Sequence, residues 1–495
     1  MAGANCRVAS DLPHISHPRS RFRTRRIPRL SLSPTAGRPS HGPRRFGSIQ
    51  TGTFTQGNRM TRLTLALLMA GFVSMPASAD QAALRQEMEV MRAQLKAMQT
   101  RLDAMAVQQE KGAESASATQ SVTKATDSGA PPLATGSPQT TIGGYGELTY
   151  NRYSRDSRRT QADLNRFVLF FGHAFDERLS FHSEVEWEHA VTSSSDRGES
   201  EIEQAYINYK LTPNVSLKTG LFLMPFGFIN QYHEPPVYYG VLRNEVETRI
   251  IPSTWREGGV GLYGSTESGF AWDVGITTGF DFSKFDDPAA PLRAIHQELQ
   301  LAKAANLASY AALNYRGVPG LTVGGAVFTG NSGHNNSTFR LDNTQPNFAG
   351  VNGRVTLWDL HARWQKGGWD LQTVYARGSI GNADKIDRIL RDYNNANATN
   401  RAYLPSEFYG WLAQAARTVW RRGDMTLTPF VRFEQYNTQS KMPEGFDASS
   451  ANADRVATIG LSFRPHPQVV FKADYQKYLA NTNNDRFNLG VGYMF

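Results

Sequence analysis

The chain has 495 residues, of which 40% are hydrophobic and 20% are charged. No run of eighteen apolar residues follows the N-terminal region, so a helical membrane protein is excluded, whereas a membrane barrel of alternating strands is not. The net charge of +9 arises in residues 1–59, which hold many arginines and one acid, so it does not indicate a nucleic-acid partner. The single cysteine, Cys6, excludes a disulfide framework and a cysteine metal site.

Residues 60–79 have the pattern of a secretory signal peptide. A short basic start at Arg62 precedes about eleven mostly apolar residues, and small residues up to Ala79 predict cleavage after that position. The position of this signal indicates that Met60 is the initiator and that residues 1–59 are an over-extended gene model. Because residues 1–59 are rich in Arg and Ser and poor in acids, an organellar transit peptide is the alternative.

Residues 80–106 carry an apolar seam with the alternating spacing of four and three that is typical of a coiled coil. The seam is formed by Leu84, Met88, Met91, Leu95, Met98, Leu102 and Met105. This narrow stripe favours a coiled coil that forms a homo-oligomer, with a trimer preferred, over a single amphipathic helix on the barrel or membrane. Residues 107–139 are rich in Ala, Ser, Thr, Gly, Gln and Pro, and they predict a flexible linker.

Residues 140–495 alternate short turns with long polar loops. The short turns are 175–178, 212–214, 265–269, 317–320, 366–368, 421–424 and 464–467. The long loops are 153–161, 191–200, 224–254, 281–306, 330–351, 379–404, 438–452 and 480–485. This alternation predicts an all-β fold, a transmembrane antiparallel β-barrel of about sixteen strands with both ends at the short-turn rim, preceded by a short coiled-coil helix.

The last ten residues, 486–495, indicate which faces of the strands meet lipid and water. Apolar residues at every second position share one face of an extended strand, and small or polar residues share the other. About ten residues is the length of a tilted strand that crosses a bilayer. The alternative is the edge strand of a soluble β-sandwich. The terminal Phe495 resembles the closing residue of bacterial outer-membrane porins, which the barrel-assembly machinery reads.

Charged residues on the opposite strand faces are predicted to face the lumen. They are Arg166, Glu184, Glu186, Glu188, Lys218, Arg363 and Lys472. A soluble core does not accept such rows of charge, whereas a water-filled lumen does. His182 and His189 flank the glutamates but fall on opposite strand faces, which argues against a metal site. No Gly-x-Ser-x-Gly, P-loop or dinucleotide motif appears, so no enzyme, cofactor or metal is expected.

The third long loop, 224–254, is unusually aromatic and apolar for a loop that faces solvent. We therefore expect it to fold into the barrel and form a constriction whose charges set selectivity. The candidate constriction residues are Arg243, Glu245, Glu247, Arg249 and Arg256. Charges of both signs would create a transverse field that sorts solutes by dipole and shape. The alternative is that these charges pair with one another and only hold the loop in place.

Four segments resemble the phosphate-selective porin O and P family: Ile142–Glu147, Gly220–Gly227, Trp255–Gly261 and Trp272–Ile276. The resemblance covers roughly residues 141–495 and implies a sixteen-stranded, usually trimeric outer-membrane barrel with its third loop folded inward. The added coiled coil resembles relatives that take up dicarboxylates. Phosphate-selective members line their path with many Arg and Lys, whereas glutamates occupy the predicted lumen here. The resemblance therefore supports a porin more strongly than a phosphate channel.

These features together predict an outer-membrane porin that passes small hydrophilic solutes by passive diffusion, including anions such as phosphate or dicarboxylates. The expected surroundings are the bacterial outer membrane and its lipopolysaccharide, with a homotrimer as the assembly and the N-terminal helix in the periplasm. The alternative is a structural or adhesive outer-membrane barrel with a plugged lumen. An open lumen predicts measurable conductance, and a plugged lumen predicts none.

Overall fold

The computed structural model describes residues 139–336 and 345–495. The predicted signal peptide, coiled coil and linker, up to residue 138, lie outside the described residues, as do residues 1–59. Among the residues that are described, no helix is both long enough and apolar enough to cross a membrane.

Within these ranges the chain forms seventeen β-strands in one antiparallel sheet. The strands are β1 (Gln139–Tyr153), β2 (Gln161–Ala174), β3 (Leu179–Glu188), β4 (Ser200–Thr212), β5 (Val215–Leu223), β6 (Arg256–Ser265), β7 (Phe270–Thr278), β8 (Leu307–Tyr315), β9 (Leu321–Asn331), β10 (Arg354–Lys366), β11 (Trp369–Ile380), β12 (Glu407–Arg417), β13 (Trp420–Arg422), β14 (Met425–Lys441), β15 (Ala453–His466), β16 (Val469–Tyr478) and β17 (Arg486–Met494). The short β13 and the longer β12 both pair with β14, so they share one position in the sheet. Strand β1 pairs with β2 and β17, and β9 pairs with β10, so the sheet closes into a barrel. The predicted barrel of sixteen strand positions is confirmed.

The connections between strands alternate between the two rims, because neighbouring strands are antiparallel. Tight turns join the strands at one rim and longer loops join them at the other, as the sequence predicts. The third loop contains a one-turn helix, α1 (Val246–Arg249), and the sixth loop contains a longer helix, α2 (Ala383–Asn397). Reciprocal backbone hydrogen bonds of 2.9 and 3.0 Å between Gly144 and Phe495 extend the pairing of the first and last strands to the chain end.

The two faces of the strands differ in burial, as the period-two pattern predicts. On β17, Phe487 and Leu489 are 40% and 43% exposed, whereas Asn488 between them is 0% exposed. Exposed apolar side chains on the other strands include Leu148, Val260, Ile276, Leu313, Val327, Leu360, Leu371, Val431, Ile459 and Phe471. The outer wall is therefore apolar and the inner wall is polar, which suits a barrel surrounded by lipid.

Apolar side chains from several loops pack inside the loop end of the barrel. The loops contribute Phe226, Ile250, Phe282, Leu292, Phe348, Ile386 and Leu404, and the inner wall contributes Phe328, Leu357, Val374 and Phe408. Full burial of such a side chain contributes roughly 1.5–3 kcal/mol relative to exposure. This packed core narrows the lumen at its loop end. The charged strand faces do not predict the core, because many of its residues lie on loops.

Candidate functional site

The third loop, which joins β5 to β6, crosses the barrel interior and bonds to distant strands. The Val241 backbone N–H donates to Asp474 Oδ2 of β16 at 2.6 Å. The Tyr238 hydroxyl donates to Glu147 Oε1 of β1, also at 2.6 Å. Because these strands lie far from β5 and β6 around the barrel, the loop spans the lumen. It therefore folds inward, as its apolar and aromatic composition predicts.

Glu245 is the centre of a buried network at the wall opposite β5 and β6. Its carboxylate accepts a hydrogen bond from Tyr478 and forms ion pairs with Arg249 and Arg486. Its backbone N–H donates to Glu434 Oε1 of β14 at 2.7 Å. Burial alone would raise the pKa of Glu245, but the two guanidinium groups outweigh burial and hold the pKa below its usual value. Glu245 therefore carries a negative charge that two cations balance.

Glu247, by contrast, stabilises the fold of the loop itself. Its Oε1 accepts hydrogen bonds from the backbone N–H groups of Phe228 and Ile229, and its Oε2 accepts one from Asn244 Nδ2 at 2.6 Å. Gly227 lies against the same carboxylate with a φ of +59°, and a Cβ there would meet Glu247 Oε1 at 2.2 Å. Hydrogen bonds to a charged acceptor are strong, so this carboxylate holds the loop turn. Glu247 therefore points into the loop and not into a passage.

The two remaining arginines of the predicted constriction differ in how fully they are paired. Arg256 forms ion pairs with Glu201 at 2.6 Å and Glu298 at 2.9 Å. Arg243 donates through Nη1 to Thr254 Oγ1 at 2.7 Å, but its Nε and Nη2 have no hydrogen-bond partner in the part of the chain that the structure describes. Among the described residues of the predicted set, Arg243 thus keeps two buried donor groups unpaired and Arg256 keeps one, its Nε.

Arg166 joins three glutamates on the inner wall of the first strands. Its guanidinium lies 3.6 Å from Glu147, 3.3 Å from Glu186 and 3.9 Å from Glu188. Glu186 is 2% exposed, which is low for a side chain in a wide aqueous channel. One arginine thus faces three carboxylates, so this side of the interior has an excess of negative charge.

The other charged residues that the sequence places in the lumen also have partners on the inner wall. Lys218 forms an ion pair of 2.5 Å with Asp273, and Arg363 forms one of 2.6 Å with Asp370. Lys472 donates to a backbone carbonyl of the third loop at 2.8 Å. Lys218 and Arg363 therefore join strands of the wall to one another, and Lys472 joins the wall to the third loop.

Sequence reasoning missed a second row of acids, on β4. Glu201 and Glu203 lie beside Glu184 and Glu186 of β3, and a β-bulge in β4 opposite Glu184 buries both Glu203 and Gln204. A strict period of two places one of these two consecutive residues on the lipid face. The available signal was the spacing of two between the glutamates of β4.

His233 reaches this acidic cluster from the third loop. Its Nε2 lies 3.5 Å from Glu184 Oε1 and 3.7 Å from Glu203 Oε2. Burial lowers the pKa of His233, but the two carboxylates outweigh burial and raise it to about 10. His182 stacks on an aromatic ring and His189 bonds to an aspartate, so neither histidine that the sequence pairs with the glutamates joins this group. Imidazole and carboxylate donors in one place can bind a proton or a divalent cation.

No family model matches the chain. An uncharacterized protein of Aquifex aeolicus is 33% identical over 361 residues, which cover 72% of this chain and 79% of the relative. With 361 residues aligned, this similarity must include most of the residues in the described barrel.

Several solved structures of outer-membrane proteins are similar at low identity. The outer membrane channel DcaP of Acinetobacter baumannii is 12% identical with a TM-score of 0.45, covering 74% of this chain and 100% of that one. An anion-selective porin from Comamonas acidovorans is 10% identical with a TM-score of 0.43, covering 72% and 100%. The trimer form of OmpT of Vibrio cholerae is 9% identical with a TM-score of 0.43, covering 73% and 100%.

Proposed function

We propose that this chain, which belongs to the same family as the uncharacterized Aquifex aeolicus protein, is an outer-membrane porin for small hydrophilic solutes. The observation that carries the proposal is a closed barrel with an apolar outer wall and a charged inner wall. A barrel of this kind is stable with lipid outside and polar groups inside. The third loop, bonded across the interior through Asp474, forms the constriction.

The constriction is proposed to select solutes by dipole and shape. Glu245 pairs with Arg249 and Arg486, so charges of both signs lie together at one side of the constriction. Anions such as phosphate or a dicarboxylate are the solutes that the sequence resemblance suggests. The Nε and Nη2 groups of Arg243 donate no hydrogen bond to any described residue. Arg243 is therefore the side chain that we propose attracts these anions.

A closed structural or adhesive barrel is the second candidate, and the burial of the inner wall favours it. Glu147, Lys218 and Asp474 are at most 4% exposed, and the apolar core occupies the loop end. A porin with a wide aqueous channel leaves such side chains in water. The two candidates differ in whether a continuous aqueous path passes the third loop.

The proposed assembly is a homotrimer in the outer membrane, surrounded by lipopolysaccharide. The heptad seam of residues 84–105 supports a periplasmic coiled coil that joins the copies. Phe495 is proposed as the residue that the barrel-assembly machinery reads, because it follows an uninterrupted alternation of lipid-facing side chains.

Single-channel recording of the full-length protein, purified from outer membranes, tests the proposed function. In a planar bilayer we expect conductance steps in groups of three, and the sign of the reversal potential under a salt gradient gives the ion preference. If a protein that still migrates as a heat-modifiable band gives no conductance, the channel proposal is wrong and the closed barrel is supported.

The substitution Arg243→Gln tests the proposed anion attraction within the same recordings. Because it removes a fixed positive charge from the interior, we expect the reversal potential to shift towards cation preference. Arg421→Gln is the matched control, since Arg421 is exposed at the short-turn rim. Equal reversal potentials for the two variants would contradict a role for Arg243.

A further inference from the structure

Three buried side chains from separate elements converge between the third loop and the barrel wall. His233 comes from the loop, Glu184 from β3 and Glu203 from β4, and they are 3%, 1% and 0% exposed. One donor atom of each residue lies within 4.8 Å of the donor atoms of the other two. We refer to these three residues as the loop–wall triad.

The side chains of the loop–wall triad are fixed by neighbours that leave their inner atoms free. The His233 Nδ1–H donates to the Asn230 carbonyl at 3.0 Å, so its Nε2 points towards the carboxylates. Gln204 Nε2 donates to Glu184 Oε2 at 2.7 Å, which leaves Oε1 towards His233. Metal-binding histidines and carboxylates are typically oriented by such second contacts.

Several inner atoms of the triad lack a hydrogen-bond partner. His233 Nε2, Glu184 Oε1 and both carboxylate oxygens of Glu203 accept or donate no hydrogen bond within residues 139–336 and 345–495. Buried polar atoms are nearly always paired, and a buried carboxylate without a partner is costly. The atoms therefore indicate a ligand that binds all three side chains at once.

The distances suit a metal ion better than a direct hydrogen bond. The Nε2 atom of His233 lies 3.5 Å from Glu184 and 3.7 Å from Glu203. Two ligands in tetrahedral positions, each about 2.1 Å from a zinc ion, are about 3.4 Å apart. Hydrogen bonds between nitrogen and oxygen are shorter, at roughly 2.7–3.2 Å.

The charge of the triad also favours a divalent ion. Two carboxylates and a neutral imidazole carry two negative charges, which one divalent cation neutralises. A proton on His233 neutralises only one of them. Of the nearby arginines, Arg166 faces Glu186 and Arg256 pairs with Glu201, whereas Arg243 bonds to Thr254 through its Nη1. Metal and proton compete for the same lone pair of the imidazole.

We propose that His233, Glu184 and Glu203 bind one divalent transition-metal ion of the Zn²⁺ class, which ties the third loop to the barrel wall. An imidazole ligand favours zinc and similar ions over Ca²⁺ and Mg²⁺, which prefer all-oxygen sites. The ion joins a loop residue to two neighbouring strands, so it restrains the loop irrespective of whether solutes pass it. The inference therefore stands apart from the proposed channel function.

Zinc binding by the full-length protein, stripped with a chelator and purified in detergent, tests the site. We expect one Zn²⁺ per chain by equilibrium dialysis, with little competition from Ca²⁺. The variants His233→Gln and Glu203→Gln should weaken zinc binding roughly 100-fold or more, because even outer contacts of a metal site contribute about 10- to 100-fold. His466→Gln and Glu444→Gln, both at exposed positions, are the matched controls and should bind like the wild type.

A second measurement keeps the test decisive if a variant folds poorly. Heat-modifiable migration reports folding, and Co²⁺ added to the wild-type protein should give the visible absorption of a low-symmetry nitrogen and oxygen site. That absorption should disappear in folded His233→Gln. Equal zinc affinity in wild type and His233→Gln, or neither zinc binding nor a cobalt spectrum in the wild type, would overturn the site. Conductance recorded from the same preparations tests the channel proposal independently of the zinc site.

Discussion

The backbone N–H of Val241 donates to the carboxylate of Asp474 at 2.6 Å, although the two residues are 233 positions apart in the chain. Val241 belongs to the third loop, which leaves the barrel at β5 and returns at β6, whereas Asp474 belongs to β16. The contact therefore shows that the loop reaches across the lumen to the opposite wall. Its strength follows from the negative charge of the acceptor.

Removing this acceptor should loosen the third loop. A hydrogen bond to a charged group contributes roughly 1.5–3 kcal/mol, so Asp474→Ala should raise the population of a displaced loop about 10- to 100-fold. Hydrogen–deuterium exchange of the peptide that covers 224–254 measures this change without relying on conductance. Asp447→Ala, at an exposed position in the seventh loop, should leave the exchange unchanged. Similar exchange in both variants would show that the contact does not restrain the loop.

The turn at Gly227 should be intolerant of a side chain for a steric reason. Gly227 and Gly367 have φ values of +59° and +60°, so alanine meets the same backbone strain, roughly 1–2 kcal/mol, at both positions. At Gly227 the new Cβ also meets Glu247 at 2.2 Å, whereas no described heavy atom lies within 4 Å at Gly367. Overpacking of this kind costs about 1–3 kcal/mol more.

Urea unfolding of the two glycine variants in detergent isolates the steric contribution. We expect Gly227→Ala to unfold at a lower urea concentration than Gly367→Ala, with both below the wild type. Equal midpoints for the two variants would mean that the Glu247 carboxylate moves aside without cost.

Helix α2 should lose stability as the pH rises, because of Asp387. Burial raises the pKa of Asp387 from 3.8 to about 7, and only the backbone N–H of Leu404 counters burial. Between these values the folded loop keeps a proton that the unfolded loop has lost, so raising the pH favours opening. At about 1.4 kcal/mol for each pKa unit, the effect amounts to at most about 4 kcal/mol. Above pH 7 this loss of stability remains constant.

Exchange protection of residues 383–397, corrected for the intrinsic effect of pH, checks this expectation. Protection should fall between pH 4 and pH 7 in the wild type but not in Asp387→Asn, whose amide is neutral throughout. Asp392→Asn on the same helix is the control, since the Asp392 side chain is 77% exposed. Equal protection of the wild-type helix at pH 4 and pH 7 would contradict this prediction.

The last residue should matter for assembly more than for the stability of the closed barrel. Phe495 bonds to Gly144 through its backbone, so Phe495→Ala retains both hydrogen bonds and loses only the aromatic ring. If the assembly machinery reads that ring, the amount of heat-modifiable barrel in outer-membrane fractions should fall several-fold. Phe487→Ala removes a lipid-facing ring from the same strand and should have a much smaller effect. Refolding of both proteins in detergent should be equal.

The strand count and the order of turns and loops could be predicted because each depends on local chemistry. A strand between lipid and a polar interior needs alternating side chains, and Phe487, Asn488 and Leu489 show that alternation in three residues. Glycine, proline and polar residues mark the turns for equally local reasons. The inward course of the third loop was predictable from its composition alone, since an apolar loop must pack against some surface.

The sequence by itself therefore determined the barrel, its two faces and the loop that enters it. Only the tertiary structure decided which charges meet inside. A bulge turns both Glu203 and its neighbour Gln204 inward, which a strict period of two does not allow, and the folded loop carries His233 to Glu184 on the wall. Contacts of this kind depend on where distant segments lie in space, and no spacing along the chain encodes that distance. The same reason explains why the apolar core at the loop end became visible only in the structure.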